Sequence, residues 1–532
     1  MATPLLAAFL FLFACCGLAR AAADAGTDLL AEGRALYLEG RRTDGQPLAA
    51  GRAGGLAMAG AQSACVNCHR RSGIGGSEGR NYIPPITAAS LFQVMPTGKG
   101  ASPEGDGRPA YTQASLAHAL RDGVDPSGRA LDYLMPRYRL TDHEVQALAA
   151  YLRQLPAGAA PPADASPLDF ATVIAPGVAP ERGRAMVDVL QACFAEHNAG
   201  PQPERGRKKL APGMSQHEER PWRLHVWTLE GPQGTWSAQL AQHAQSQPVF
   251  AVVGGVGKGE WQPVHRFCER ESLPCLFPHV DVPVADAQAF YPLYLGKGVL
   301  LEAGLIARQV HEQSPGRRVV QVLREEDEAA RAGADALQAA LAAHGGATQR
   351  IALHGTLAAG AFAGVAANDL LVLWLRPADL QRLEGIAPAA GQAYVSATLA
   401  ESDAVPLPTS WKAHALMAYP FELPQQRALR TLPVRHWLQA HAVPAGDERI
   451  QADAYVACSA LRKAMHDAQD HLGRDYLVER LEMDMERTTV TGLYPRLALG
   501  IGQRFASKAG YLVRFDAAAP GGLVPLGERV AP

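Results

Sequence analysis

The chain has no surplus of positive charge: 50 Lys and Arg stand against 52 Asp and Glu. It therefore has no basic excess to hold a polyanion, which argues against nucleic acid as its partner. No repeat of solenoid period runs through it. Beyond the N-terminus no apolar run is long enough to cross a bilayer. His197, His225, His265 and the other scattered histidines show no metal-ligand spacing and read as surface or satisfied interior residues. Nucleotide fingerprints are missing too. A Walker A loop around Lys258 would need Gly and Ser or Thr where Val252 and Gly259 stand. The G-x-G-x-x-G spacing fails at Glu260 or Gln262. No flavin or nicotinamide motif appears.

What is present begins with an export signal. Ala2 to Ala19 carries no charge, Leu5 to Phe13 is strongly apolar, and Ala19-Arg20-Ala21 offers an A-x-A cleavage site. No Lys or Arg precedes the apolar run, so an uncleaved anchor is the competing reading. Leu12-Phe13-Ala14-Cys15 loosely resembles a lipoprotein box. We expect residues 1–21 to be a cleaved signal, a periplasmic location and no membrane span afterwards. A lipid-anchored or N-terminally anchored form is the minor alternative.

Length suits two or three domains. Pro and Ala cluster between Pro156 and Pro167, a composition that forms no core and reads as a spacer. The expected division is a first domain over 27–155, a linker over 156–169 and a second domain over 170–532. The first reads as helical, with helices near 28–38, 115–121 and 141–155 and long loops over 39–64 and 70–110. Thr141 and Glu144 form a capping box, and Val145, Leu148, Ala149, Leu152 and Leu155 make one apolar stripe. The second alternates short apolar strands (224–229, 249–253, 275–277, 318–323, 370–375) with amphipathic helices (260–271, 299–313, 328–344). That pattern implies parallel sheets with βαβ crossovers.

Cys65-Val66-Asn67-Cys68-His69 has the C-x-x-C-H spacing of c-type haem attachment. Two thiols on adjacent turns form thioethers with the two vinyl groups of one haem, and the next residue, His69, is held beneath the iron. Chance would produce such a pentad in a chain of this composition roughly four times in a thousand. Zinc would want a second ligand pair, and a redox dithiol would sit at a strand-to-helix junction. We expect one covalent haem c. Its distal ligand is expected at Met135, in the extended loop that Pro136 enforces before the terminal helix. Met95, also followed by Pro, is the competitor, and Met58 a third.

Residues 27–155 resemble a monohaem cytochrome c of the Met-His-ligated kind. The likeness is carried by Gly123-Val124-Asp125-Pro126-Ser127-Gly128-Arg129, Leu134-Met135-Pro136-Arg137-Tyr138, Leu140-Thr141-Asp142-His143-Glu144 and Tyr151-Leu152-Arg153. It implies an all-α N-terminal domain. One departure is an insertion between Tyr37 and Cys65, placed to cover or extend the haem edge.

Residues 171–532 resemble a type I periplasmic binding protein of the branched-chain amino-acid receptor family. The carriers are Ile174-Ala175-Pro176-Gly177, Phe194 to Gly200, Val249 to Gly255, Val264 to Pro274 and Asp453-Ala454-Tyr455. The resemblance implies an α/β bilobed fold with a ligand cleft between hinged lobes. In that family Ser and Thr after the second strand bind the ligand carboxylate. Here the loop reads Gly254-Gly255-Val256-Gly257-Lys258-Gly259-Glu260-Trp261, so an amino-acid ligand does not carry over. A glycine loop opening a helix offers N–H groups to an anion, which makes Lys258 and Trp261 the candidate ligand contacts. A tight turn is the plainer reading of the glycines.

Once the signal and haem cysteines are set aside, Cys193, Cys268, Cys275 and Cys458 remain, in a chain that reaches an oxidising compartment. Cys268 and Cys275 flank a turn shaped by Pro274 and are the candidate disulfide, against two free buried thiols. The pairing of Cys193 and Cys458 stays open. The sequence thus reads as a non-enzymatic electron carrier, with no catalytic residue named. Its second domain binds a small molecule or a periplasmic redox partner, a dehydrogenase or another cytochrome. The alternative is a solute-binding receptor of a transport or sensing system with an accessory haem. A single C-x-x-C-H motif excludes a dihaem peroxidase.

Overall fold

The computed structural model describes residues 28–52, 54–78, 81–95, 107–155, 167–200, 220–468, 471–487 and 492–532. The signal reading at 1–21 and residues 156–166 of the linker lie outside them. The chain divides into two compact units, Met1–Ala159 and Ala160–Pro532.

In the first unit a helix over 28–39 meets the helix Asp142–Leu152. They approach so closely that a Cβ on Gly33 would lie 2.0 Å from the Ala147 carbonyl oxygen. Only glycine fits that crossing. One turn on, the rings of Tyr37 and Tyr151 pack 5.2 Å apart. The terminal helix starts where its sequence signal says: the Thr141 side chain accepts from the Glu144 N–H, and Glu144 returns the bond to the Thr141 N–H. The Glu144 carboxylate also takes Arg42 Nε at 2.7 Å. A second capping box, Thr112 with Ser115, opens the helix Gln113–Asp122, and Gly123 closes it in the left-handed conformation at φ 75°.

The all-α expectation needs correction. Strands Leu56–Ala59, Ala49–Arg52 and Arg137–Tyr138 form an antiparallel sheet, and Gly76–Glu78 pairs with Asn81–Ile83. These stretches read as loops because Ala, Gly and Arg show no alternating apolar pattern. Their strands are held by ladder bonds and tertiary packing rather than by propensity.

The second unit has two mostly parallel sheets. In the first, the order is His279–Val282, Val256–Glu260, Leu168–Ile174, Ala251–Val253, Cys275–Leu276 and Pro292–Leu293, with Trp222–Thr228 also on Leu168–Ile174. In the second, the order is Thr348–Ala352, Val319–Leu323, Leu370–Trp374, Gln392–Ser396, Ala415–Tyr419, Tyr511–Phe515 and Leu523–Pro525. The last two are antiparallel to their neighbours. The helices Glu448–Ala468 and Arg474–Arg487 return to pack on the first sheet, in one core with Phe170, Leu190 and Phe194. Three segments therefore pass between the lobes, near 294–298, 441–447 and 508–510. Two disulfides, Cys193–Cys458 and Cys268–Cys275, lie in the first lobe. Among the described residues no helix is long and apolar enough to cross a membrane.

Candidate functional site

The C-x-x-C-H stretch folds as a short helical turn, Val66–His69, with Cys65 at its N-cap. The turn is fixed from both sides. The Asn67 side-chain amide donates to the Ala61 carbonyl at 2.7 Å. Arg70, at φ 63°, reverses the chain after His69, and its carbonyl accepts from the Tyr37 hydroxyl at 2.6 Å. His69 is buried, and its Nδ1–H donates to the Pro84 carbonyl at 3.1 Å. That bond sets the tautomer and leaves Nε2 as the nitrogen for a metal. Burial lowers the imidazole to about 4, so it is neutral at neutral pH, as a metal ligand must be.

Cys65 and Cys68 are both free of disulfides. Burial pushes the Cys65 thiol up to about 12, against a smaller opposing hydrogen bond from Tyr138. A reactive dithiol needs the reverse, a lowered thiol. No group of three or more His, Cys, Asp or Glu among the described residues is arranged to hold a metal ion, so the three residues of the turn do not converge as zinc ligands would. Two unbridged thiols on one turn, followed by an oriented neutral imidazole, fit a covalently attached haem.

The methionines differ in setting. Met135 is partly buried and packs on the core with Leu36, Leu120 and Leu148. Its loop is tied at many points: Leu131 N–H to the Gly123 carbonyl at 2.7 Å, Met135 N–H to the Asp132 carbonyl at 3.1 Å, and Ser127 and Arg129 N–H to Asp125 Oδ1. The strand that follows carries Tyr138, whose hydroxyl donates to the Ser63 carbonyl, two residues before Cys65. Met95 is 37% exposed and pinned in a bridge with Arg108. Met58 lies partly buried on the strand Leu56–Ala59.

In the second unit the glycine stretch is not the opening of a helix. Gly254 and Gly255, at φ 65° and 120°, jog the chain from Ala251–Val253 into a further strand, Val256–Glu260. The backbone N–H of Glu260 is taken by Glu328 Oε2 at 3.0 Å, and the same oxygen accepts from Gln233 at 2.7 Å. The anion at this site is thus the chain's own. Trp261 is 2% exposed and lies over Gly257, where a Cβ would come within 2.8 Å of its ring. It is enclosed in the lobe core, away from the cleft. Lys258 pairs through its Nζ with Glu401 at 3.0 Å.

Glu401 is the centre of a network that the sequence did not signal. One oxygen, Oε1, meets Lys258 and Arg182 (3.3 Å) from the first lobe and Arg376 (3.2 Å) from the second. Glu401 holds a left-handed φ of 57°, rare for a residue with a side chain. Arg376 also pairs with Asp281 across the lobes at 2.8 Å and with Asp327 at 2.7 Å. Next to it, His279 Nδ1–H donates to Asp453 Oδ2 at 2.7 Å, and Arg449 reaches the Ala397 carbonyl at 2.9 Å. Arg182, His279, Asp281, Glu401, Arg449 and Asp453, with Leu295, Leu301 and Phe421, line a cleft with about 40 Å³ of free space, room for a few waters.

Residues 57–156 match the family model described as Cytochrome c. No curated protein sequence matches the chain. Among solved structures, a branched-chain amino acid ABC transporter protein of Thermus thermophilus with bound valine is similar at TM-score 0.50 and 12% identity, over 69% of this chain and 97% of that one. A leucine-binding protein of Thermotoga maritima stands at TM-score 0.49 and 13% identity, over 69% and 99%. At such identities the likeness bears on the fold alone. The chain joins a cytochrome c domain to an α/β unit with the fold of branched-chain amino-acid binding proteins. A cytochrome c domain implies haem c.

Proposed function

We propose that this protein is an exported single-electron carrier. It holds one haem covalently through Cys65 and Cys68, with His69 and Met135 as axial ligands, and its second unit binds a small molecule or a redox partner. The observation that carries the reading is the turn Cys65–His69: cysteines outside any disulfide at both attachment positions and a neutral imidazole oriented by the Pro84 carbonyl. When bound, the haem supplies a one-electron couple. A Met-His ligand set gives closed, low-spin iron suited to electron transfer rather than to substrate chemistry. The chain's own residues orient the imidazole (Pro84), brace the turn (Asn67, Tyr37) and hold the Met135 loop (Asp125, Asp132). The proposed cytochrome c domain spans 27–155, followed by a linker to 169 and a binding domain to 532, in the periplasm after signal removal.

The fold of the second unit supports a solute receptor with an accessory haem as the second reading. The altered loop at 254–261 and the ion pair of Lys258 with Glu401 count against an amino-acid ligand. The deciding experiment is expression in a periplasm with a haem-attachment system, followed by acid-acetone extraction. Colour should stay with the protein, and changing both Cys65 and Cys68 to Ala should abolish it. Extraction of the colour from the wild type overturns the reading.

A further inference from the structure

The insertion ahead of the haem motif has a defined inner face. Ala50 pairs with Met58 on one side and with Tyr138 on the other, and Arg52 pairs with Leu56. Side chains alternate along a strand, so Ala50, Arg52, Leu56, Met58 and Tyr138 share one face. Ala50 and Tyr138 are buried, Arg52 and Met58 are part-buried, and Leu56 at the far edge is exposed, so the face turns inward at its Ala50 end.

The face meets both attachment cysteines. Tyr138 stands beside Cys65, its hydroxyl donating to the Ser63 carbonyl two residues before it. Arg52 lies at Cys68, with Nη2 3.9 Å from Sγ. The Arg52 Nε is buried and has no hydrogen-bond partner. Among the described residues no carboxylate pairs with Arg52. A buried N–H with no acceptor carries a desolvation cost, and an unpaired guanidinium a larger one. A group that accepts hydrogen bonds or exchanges charge at this spot would offset that cost.

We infer that Arg52 is a positioning residue for the redox couple: its guanidinium stands at the Cys68 attachment edge and raises the reduction potential of the haem. The inference rests on haem attachment at Cys65 and Cys68. A guanidinium keeps its charge over the working pH range. A fixed cation there favours the reduced state, in which the haem carries one positive charge less. Arg52 and Cys68 are both part-buried, so salt screens the effect less than it would between fully exposed groups.

The test is spectroelectrochemical titration of the full-length holoprotein with R52Q, R52M and R52K. Haem content and the far-red band of the ferric form are recorded alongside. R52Q and R52M are expected to keep haem and band but show a lower midpoint, so that the ferric-to-ferrous ratio at a fixed ambient potential rises. R52K should keep most of the wild-type value. An unchanged midpoint in R52Q overturns the inference. So does an equal fall in R52K, which would assign the effect to packing, and so does failure of all three variants to mature with haem, which would make Arg52 a folding residue. Absence of covalent haem from the wild type would instead strike the functional reading beneath it.

Discussion

The guanidinium of Arg137 occupies the space that a side chain at Gly123 would need: a Cβ built there comes within 2.0 Å of Arg137 Nε. From that seat Arg137 donates to the carbonyls of Met135 and Leu131. The Gly123 carbonyl meanwhile accepts from Leu131 N–H. The helix end, the arginine and the methionine loop are thus one assembly. A helix C-cap glycine, ordinary by its sequence, sets how the Met135 loop can run.

Gly123→Ala therefore faces two penalties, a left-handed φ of 75° and the displaced Arg137. The first alone costs about 1 kcal/mol. We expect lower thermal stability of the first unit and loss of the far-red ferric band at lower temperature than in the wild type. A band that melts with the wild-type profile would show that Arg137 does not restrain the loop.

On the proposed Met-His ligation, Met135→Ala should abolish that band and lower the midpoint, because a thioether ligand raises it. Met95→Ala should leave both nearly unchanged, since Met95 is exposed and held in its bridge to Arg108 by backbone bonds. The reverse result would move the distal ligand to Met95.

The Cys193–Cys458 bridge ties helix Pro180–Ala199 to helix Glu448–Ala468 across 265 positions. Closing so long a loop restricts the unfolded chain. Changing both cysteines to Ala should cost roughly 2–5 kcal/mol, read as a lower urea midpoint. A non-reduced peptide map should show this link and the one between Cys268 and Cys275; free thiols at any of the four would contradict it.

Glu401→Gln leaves Lys258, Arg182 and Arg376 without their shared carboxylate. The pairs are partly buried, so the closed cleft should lose about 1–3 kcal/mol. Faster amide exchange in Val256–Glu260, the strand beneath the contact, is the expected readout. Unchanged exchange would mean that the network does not hold the lobes together.

Glu302 is buried beside Ser396 and Thr398, and burial, outweighing those hydrogen bonds and the nearby Arg449, raises its carboxyl from 4.5 to about 7. The folded chain then binds a proton that the unfolded chain releases above 4.5. Its contribution to stability is complete below pH 4.5 and lost as pH rises through 7, on the order of 3 kcal/mol in total. Glu302→Gln should flatten that part of the pH–stability curve, measured by urea unfolding between pH 4.5 and 8. A slope identical to the wild type would show that Glu302 does not carry it.

Much of the site was legible because its chemistry is local. The C-x-x-C-H spacing places two thiols and an imidazole on one turn whatever surrounds them, and the Thr141–Glu144 box starts its helix from its own four residues. The strands at 49–59 were not legible. Their Ala, Gly and Arg carry no period; they are strands because Ala49–Arg52 and Leu56–Ala59 pair with each other and Arg137–Tyr138, some eighty positions on, extends the ladder on the other side of Ala49–Arg52. The stretch at 254–261 misled for a related reason. Glycines before a helix suggest a turn, whereas Val256–Glu260 is drawn into the sheet by His279–Val282.

What the sequence determined by itself is therefore whatever rests on neighbours a few positions apart: the Cys65–His69 turn, the helix caps, the alternation of strand and helix. Only the tertiary structure decided that Arg52 reaches Cys68, that Arg137 fills the place above Gly123, and that Glu401 gathers cations from two lobes. Those contacts join residues as far apart as Arg182 and Glu401. Charge pairing has no periodicity to read, and its partners are chosen by the packing of the elements that carry them.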